Sequence, residues 1–311
     1  MVGTPDGGPR RTSVMHRLPH PVAAALVAAL VAVGCAPMTT DVASTTDGPP
    51  TPVSAPSSAA PQPSPGATVE TVSYADHPDT VFDVHRPTAA PSGTTVVLVH
   101  GGFWREQYVR DLMDPLVPSL LEDGHVVVNL EYRRVRGDGG WPTTLTDVAA
   151  GFDAVAGLDG VDPGRVVAVG HSAGGHLVTW LAARHRLPDD APGAQPGLTP
   201  CHVVAQAPVV VLDEALGLSD GAVAELLGGD DADRRRIADP SAWLPLDVPV
   251  TPVHAPADDL VPVSQSERWV ALATAAGDTA TLVTAPGDHF SVIDPTHELW
   301  DAARTAVRDA C

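Results

Sequence analysis

Residues 165 to 177 read Arg165-Val-Val-Ala-Val-Gly-His-Ser-Ala-Gly-Gly-His-Leu177, and this stretch indicates the fold more directly than any other part of the chain. Arg165 to Val169 is an apolar, β-branched run, typical of a strand buried on both faces of a parallel sheet. Gly170 to Gly174 matches G-x-S-x-G, in which small residues let a strained turn expose a serine. A helical pattern runs from Ala173 to Arg186. Since a Gly- and Ser-rich chain can contain G-x-S-x-G by chance, the prediction of Ser172 as a nucleophile depends on the surrounding sequence.

The rest of the chain from residue 69 alternates strand and helix patterns. The predicted strands are Val69–Ala75, Val81–Arg86, Thr94–Val99, His125–Leu130, Arg165–Val169, His202–Ala207, Val250–His254 and Thr279–Ala285. The predicted helices are Asp114–Glu122, Thr143–Gly157, Ala173–Arg186, Gln265–Ala276 and Thr296–Ala310. This order predicts an α/β domain over residues 69–311, a doubly wound, mostly parallel sheet of about eight strands with its site at their carboxyl ends.

A second motif, His100-Gly-Gly-Phe-Trp104, directly follows the third predicted strand. A loop at this place can supply half of an oxyanion hole, because glycines let the backbone approach a substrate. We expect the N–H of Gly102 or Phe103, together with that of Ala173, to donate to a negatively charged oxygen. The alternative is a plain turn that leaves the strand.

With both motifs in place, the chain resembles the α/β-hydrolase superfamily over Val69 to Ala310. His100-Gly-Gly-Phe-Trp104 and Gly170-His-Ser-Ala-Gly-Gly-His-Leu177 are similar to the kynurenine formamidase (arylformamidase) branch, with its H-G-G-[FY]-W and G-H-S-A-G-x-H-L patterns. That resemblance implies cleavage of a formamide on an aromatic amine, and close relatives are carboxylesterases. The first 34 residues of this chain predict export, as described below, and an exported protein departs from the cytosolic enzymes of that branch.

A serine nucleophile needs an imidazole to take its proton and a carboxylate to orient the imidazole, in the chain order Ser, Asp, His. The segment from Ala255 to Pro262 is similar to the superfamily's G-x-x-D-x-x-V-P loop, which implies Asp258 as the acid and leaves Asp259 as the alternative. The Gly287-Asp-His-Phe-Ser-Val-Ile293 loop implies His289 as the base. The remaining candidates are predicted to pack near the site or in the core (His171, His176 and His254) or on a helix surface (His297).

Two segments have weaker patterns. Residues 208–249 are predicted to form a small cap, in which Leu226, Leu227 and Trp243 either line a pocket or pack short helices together. The run from Glu131 to Arg134 is predicted to be a solvated strand end, the alternative being a role in contacting substrate.

Composition limits the partners. The formal net charge is −20 and all 18 basic residues are arginines with no basic stripe, so we expect no nucleic acid. Neither H-E-x-x-H nor a Cys/His cluster occurs, so we expect no metal and no other cofactor.

The first 34 residues read as a signal peptide, since arginines precede an apolar run, Val22 to Val33, too short to span a bilayer. Translation starts at Met1 or Met15. The run ends at Cys35 in a sequence resembling a bacterial lipobox, which implies a lipidated cysteine, a membrane partner and a place on the outer face of the membrane. The alternative is cleavage near Ala36 and secretion. Residues 35–68, rich in Pro, Ser and Thr, are predicted to be a disordered tether.

Export also bears on the remaining cysteines, Cys201 and Cys311, because an exported protein matures where thiols oxidise. We expect them to form a disulfide between the start of a strand and the end of the last helix, the alternative being unpaired thiols. Together the motifs predict a serine hydrolase acting on a small ester or activated amide through an acyl-enzyme. The competing hypothesis is an inactive, surface-anchored binding module on the same fold.

Overall fold

The computed structural model of the protein describes residues 68–311. There, eight strands form one sheet in the order β1-β2-β4-β3-β5-β6-β7-β8. The strands are β1 Thr68–Ser73, β2 Val81–Arg86, β3 Thr95–Val99, β4 Val126–Leu130, β5 Val166–His171, β6 His202–Gln206, β7 Val250–His254 and β8 Val283–Thr284. The pairs β1/β2 and β2/β4 are antiparallel and every other neighbouring pair is parallel. This confirms the predicted α/β-hydrolase fold with its mostly parallel sheet.

The centre of the sheet is apolar on both faces, as the uninterrupted valine runs predict. Every residue of β3 and β5 is buried, and the two strands pair in parallel with Val99 opposite Gly170. Separate apolar cores cover the two faces, one around Phe152 and Trp180 and the other around Met113 and Trp300. Because β3 and β5 end side by side, the two motifs that follow them emerge at the same edge of the sheet.

Helices connect the parallel strands on both faces. They are α1 Val117–Glu122, α2 Thr143–Val155, α3 Ala173–Ala183, α4 Ala222–Leu227, α5 Ala232–Ala238, α6 Ser264–Ala276 and α7 Glu298–Arg308. All five predicted helices are present. The first one differs, because its amino-terminal part belongs to a 3₁₀ segment, Arg110–Leu116, that contains Pro115 and leads into α1. Proline has no N–H to donate to an α-helical ladder.

The last predicted strand, Thr279–Ala285, is much shorter than expected. Only Val283 and Thr284 form β8, and Ala280 makes an isolated bridge to Val250. β8 lies at the edge of the sheet, so within residues 68–311 β7 is the one strand that forms hydrogen bonds with it. The prediction was right about the place of the strand and wrong about its length.

The segment between β6 and β7, which includes the residues predicted to form a cap, contains α4, α5 and three short 3₁₀ turns. Leu226 and Leu227 are fully buried in the larger core. Trp243 lies under the guanidinium of Arg236, 4.5 Å from its ring centre, and its indole N–H donates to the Arg236 carbonyl. These contacts are those of helix packing, the second of the two predicted alternatives.

Cys201 and Cys311 form a disulfide, with their Cα atoms 6.0 Å apart. The bond joins the residue before β6 to the chain end that follows α7, as predicted. None of the helices in residues 68–311 is both long and apolar enough for a membrane span. The predicted signal peptide, the lipidated Cys35 and the tether fall almost wholly outside the described residues, which begin at Thr68.

Candidate active site

Ser172 occupies a strained turn between β5 and α3. Its φ is 55° and its ψ is −115°, a conformation that a non-glycine residue adopts only where its surroundings enforce it. The Ser172 N–H donates to the Gln206 carbonyl at 2.7 Å, which ties the turn to β6. A Cβ added to Gly174 would lie 2.1 Å from the Val99 carbonyl oxygen, so only glycine allows α3 to approach β3 this closely. The turn therefore has the geometry of a nucleophile elbow.

His289 and Asp258 are paired. The His289 Nδ1 lies 2.7 Å from Asp258 Oδ2, and the other carboxylate oxygen accepts the N–H groups of Leu260 and Val261 at 2.9 and 2.8 Å. Asp258 is buried and Asp259 is exposed. Asp258, and not its neighbour, is thus the carboxylate that contacts His289.

The surroundings of Asp258 favour its ionised form. Burial by itself would raise the pKa of this carboxyl, but hydrogen bonds from His254 and His289 and from the Val261 N–H outweigh burial and hold the pKa well below its usual range. A carboxylate that stays ionised can accept a hydrogen bond from the Nδ1–H of His289, which fixes the tautomer whose Nε2 is free to accept a proton.

His171 joins the histidine loop to the elbow. Its Nε2 donates to the His289 carbonyl at 3.0 Å, and the two ring centres are 4.7 Å apart. Burial, with a contribution from His289, lowers the pKa of His171 to about 3, so this ring is neutral. His289 therefore packs against the residue that precedes Ser172. Within residues 68–311 the hydrogen bonds of His289 go to Asp258 and His171, and none joins it to the Ser172 hydroxyl.

The His-Gly-Gly-Phe-Trp loop packs on the same turn. A Cβ on Gly101 would lie 2.7 Å from the His171 carbonyl oxygen and 3.0 Å from Ser172 Cβ. Gly102 and Phe103 follow in the left-handed region, with φ of 101° and 56°. In the described part of the chain, the N–H groups of Gly102, Phe103 and Ala173 have no backbone partner, and Ala173 is the first residue of α3. These are free donors at the edge where Ser172 lies, an arrangement suited to a developing oxyanion.

The sequence prediction for Glu131 to Arg134 was wrong, because Glu131, Tyr132 and Arg134 are buried. Glu131 Oε1 accepts from His100 Nε2 at 2.9 Å and also contacts Arg134. The Tyr132 hydroxyl donates to the His100 carbonyl at 2.9 Å, and the Tyr132 and His100 rings stack. This buried cluster supports the loop of the second motif. A run of charged residues predicts an exposed surface. Nothing in the sequence indicates that the residues after β3 and β4, His100 and Glu131, contact each other.

Burial alone would raise the pKa of Glu131, but its bond from His100 and the charges of His100 and Arg134 hold that pKa below its usual range. The remaining histidines lie largely as predicted. His171 and His254 pack beside the candidate residues, and His176 donates to the Ala238 carbonyl of the cap at 2.8 Å. His297 has a defined role that was not predicted, since its Nδ1 accepts the Leu299 N–H at the start of α7.

A pocket of about 640 Å³ lies beside the segment that follows the second motif. Its lining is charged and polar: Asp79, Glu106, Gln107, Arg134, Arg136 and Gly137. In residues 68–311 there is no cluster of three or more His, Cys, Asp or Glu side chains that could hold a metal ion.

The model of the BD-FAE family matches residues 82–272, which is more than half of the chain and includes the elbow, the second motif and Asp258. The chain belongs to the BD-FAE family. A relative from Mycobacterium tuberculosis, "Probable carboxylic ester hydrolase LipM", is 30% identical over 203 residues, and the match covers 60% of this chain and 46% of that protein. The chain therefore spans slightly less than half the length of this relative.

Solved structures share the fold. A truncated carbohydrate esterase from gut microbiota has a TM-score of 0.65 at 21% identity, with 77% of this chain and 95% of that chain covered. Inhibited esterase B from Lactobacillus rhamnosis has a TM-score of 0.66 at 23% identity, with 78% and 85% covered. At these identities the likeness establishes the α/β-hydrolase fold of the BD-FAE domain.

Proposed function

We propose that the protein is a serine hydrolase that cleaves small carboxylic esters through Ser172, His289 and Asp258. The main support is that a serine in a strained elbow lies at the same sheet edge as a buried His289–Asp258 pair, whose Nδ1 and Oδ2 atoms are 2.7 Å apart. Family membership and the carboxylic ester hydrolase named among the relatives point in the same direction.

In this mechanism the Ser172 oxygen attacks the ester carbonyl while His289 Nε2 takes the hydroxyl proton. The N–H of Ala173 and that of Gly102 or Phe103 stabilise the tetrahedral oxyanion, at about 3 kcal/mol per donor. His289 then gives its proton to the departing alcohol, which leaves an acyl group on Ser172. A water, deprotonated by His289, attacks the acyl-enzyme, and the acid is released with Ser172 protonated again.

The proposed substrates are esters with short acyl groups, with aryl formamides as a second class. The cap supports the first part, because α4 and α5 have only six and seven residues and their apolar side chains pack into the core. A long acyl chain needs a covered apolar groove. The formamide proposal rests on the two motifs that resemble the arylformamidase branch.

A fluorophosphonate probe tests the nucleophile. We expect one probe per molecule on the wild-type protein and none on Ser172→Ala, whose turnover of a short aryl ester should fall at least a thousandfold with little change in thermal stability. Ser73→Ala, on exposed strand β1, is the matched control and should label normally. A folded wild-type protein that neither labels nor turns over any ester would favour the inactive binding module.

A screen over acyl length and aryl formamides defines the substrate class. Short aryl esters should be turned over faster than long-chain ones. Turnover of long-chain triglycerides without turnover of short aryl esters would contradict the proposed class.

We further propose that Cys35 carries a lipid and holds the domain on the outer face of the membrane. The support is sequence alone: a positively charged start, an apolar run and a cysteine, followed by a Pro-, Ser- and Thr-rich segment. Cys35→Ser should move the protein from the membrane fraction to the soluble fraction or the medium, measured by fractionation and immunoblotting. If Cys35→Ser still sediments with membranes, the anchor is elsewhere.

A further inference from the structure

Asp258 contacts a second imidazole that the proposed mechanism does not use. His254, the last residue of β7, places its Nε2 3.1 Å from Asp258 Oδ2, the oxygen that also contacts His289 Nδ1 at 2.7 Å. The side chains of His254 and Asp258 are both fully buried. One carboxylate oxygen is therefore shared by two histidines, one from strand β7 and one from the loop after β8.

The contacts of His254 determine its tautomer. Its Nε2 also lies 2.9 Å from the Val261 carbonyl oxygen, so both neighbours of this nitrogen are acceptors and it must carry a hydrogen. Its Nδ1 lies 2.8 Å from the Ser266 hydroxyl, which can donate to it. Ser266 belongs to α6 and is itself fully buried. The arrangement is a chain of donors from Ser266 through His254 to Asp258.

We propose that His254, oriented by Ser266, is a positioning residue that holds the Asp258 carboxylate in the rotamer and charge distribution His289 needs. This rests on the proposed function, since it assigns His254 a part in the action of the triad. The proposal is specific to Oδ2, because Oδ1 already has two donors from the backbone N–H groups of Leu260 and Val261. Without His254, the oxygen facing His289 has one donor fewer than its partner oxygen.

Two consequences follow. Loss of the second donor lets the Asp258 carboxylate shift in position while it stays bonded to His289, and a small misplacement of a catalytic group can lower the rate about a hundredfold. A donor to Oδ2 also withdraws negative charge from the oxygen that stabilises the His289 imidazolium. When this donor is removed, the imidazolium is more stable and His289 must be deprotonated at higher pH before it can accept the Ser172 proton.

The test compares His254→Leu with His254→Gln, whose side-chain amide can still donate toward Asp258 and accept from Ser266. For His254→Leu we expect kcat about 10- to 100-fold lower with KM within about twofold, and the acid limb of the kcat/KM profile at a pH higher by about half a unit or more. His254→Gln should recover most of kcat and the wild-type limb. Rates are divided by the fraction of molecules labelled once fluorophosphonate labelling has gone to completion in every variant, so neither partial misfolding nor slower labelling imitates or hides the effect.

The matched control is His202→Leu, which removes another hydrogen-bonded histidine of the same sheet, paired with Thr251 at 2.9 Å and outside the candidate site. Its kcat and its pH limb should equal those of the wild type. The charged or titratable groups around His289 are Asp258, His171, Asp288 on its own loop and His254 through Asp258, so the pH limb is compared in variants that keep the first three.

A readout without turnover separates this inference from the proposed function. The proton on His289 Nδ1, bonded to Asp258, gives a low-field ¹H resonance whose pH midpoint should rise in His254→Leu and return in His254→Gln. If the wild type hydrolyses no ester, the proposed function fails and the NMR titration still decides this point. If His254→Leu does not fold, Ser266→Ala replaces it, with a smaller shift in the same direction. An unchanged kcat and midpoint in the folded variants, or equal losses in Leu and Gln, would overturn the proposal.

Discussion

Asp258 and Asp259 are adjacent carboxylates that differ only in their surroundings. Asp258 is buried and accepts hydrogen bonds from His289, His254 and two backbone N–H groups, while Asp259 is exposed. The likeness to a family loop favours Asp258, and spacing alone leaves Asp259 as the alternative. The direction of each side chain decides between them, and it depends on how the loop after β7 meets the loop after β8.

We therefore predict that Asp258→Asn lowers kcat by about 10³- to 10⁴-fold, because an amide cannot stabilise the imidazolium of His289 and favours the wrong tautomer. Asp259→Asn should stay within about twofold of the wild type. The measurement is steady-state hydrolysis of a short aryl ester by both variants. Similar losses in the two variants would mean that Asp258 does not act as the triad acid.

The buried strands and helices were predictable from the sequence, whereas the edge of the sheet and the strand end at Glu131 to Arg134 were not. Long apolar runs predict strands β3 to β5 and helix α3, because an apolar segment that must be buried on all sides can adopt few other structures. β8 was overestimated because an edge strand pairs with one neighbour only. The Glu131 to Arg134 run was misassigned because its polar groups are satisfied by residues distant in sequence, including Asp79 and His100.

The loop after β3 depends on this misassigned run, which leads to a prediction for Glu131. Glu131→Gln removes the charge opposite buried Arg134 and turns an amide N–H toward groups that are themselves donors, His100 Nε2 or the Arg110 N–H. Breaking a buried ion pair from one side costs about 3 kcal/mol of unfolding free energy. Urea denaturation should show a lower midpoint at an unchanged slope.

The control for Glu131→Gln is Glu214→Gln, whose partner Arg268 is about half exposed. A pair at the surface contributes less than about 1 kcal/mol, so this variant should unfold nearly as the wild type does. A Glu131→Gln variant as stable as Glu214→Gln would show that the cluster does not hold the loop after β3.

The net charge of −20 and the buried histidines affect different properties of the protein, solubility in the first case and stability against pH in the second. The acidic surface favours solubility and says little about the fold. His171 and His176 lie under the elbow and under the cap, where burial lowers their pKa values to about 3 and about 4 from an ordinary value of 6.5. Buried His125 and the partly buried His85 and His202 also have pKa values that burial lowers.

The stability of the domain should depend on pH through these buried histidines. A histidine whose folded pKa lies below its unfolded value stays neutral in the fold, so the unfolded chain binds more protons as pH falls below 6.5. The free energy of unfolding should therefore fall between pH 7 and pH 5, by on the order of 1–2 kcal/mol for each of His171 and His176. Asp258 and Glu131 act at lower pH, because depressed carboxyl pKa values stabilise the fold above about pH 4 and lose that effect as pH falls further.

Urea unfolding at several pH values should show a smaller loss of unfolding free energy with falling pH for His176→Gln than for the wild type, whatever the stability of the variant at pH 7. Exposed His185 is the control, and His185→Gln should keep the wild-type slope. Equal slopes in the wild type and His176→Gln would mean that the cap opens around His176 before the domain unfolds, since only a solvated imidazole could titrate equally in both states.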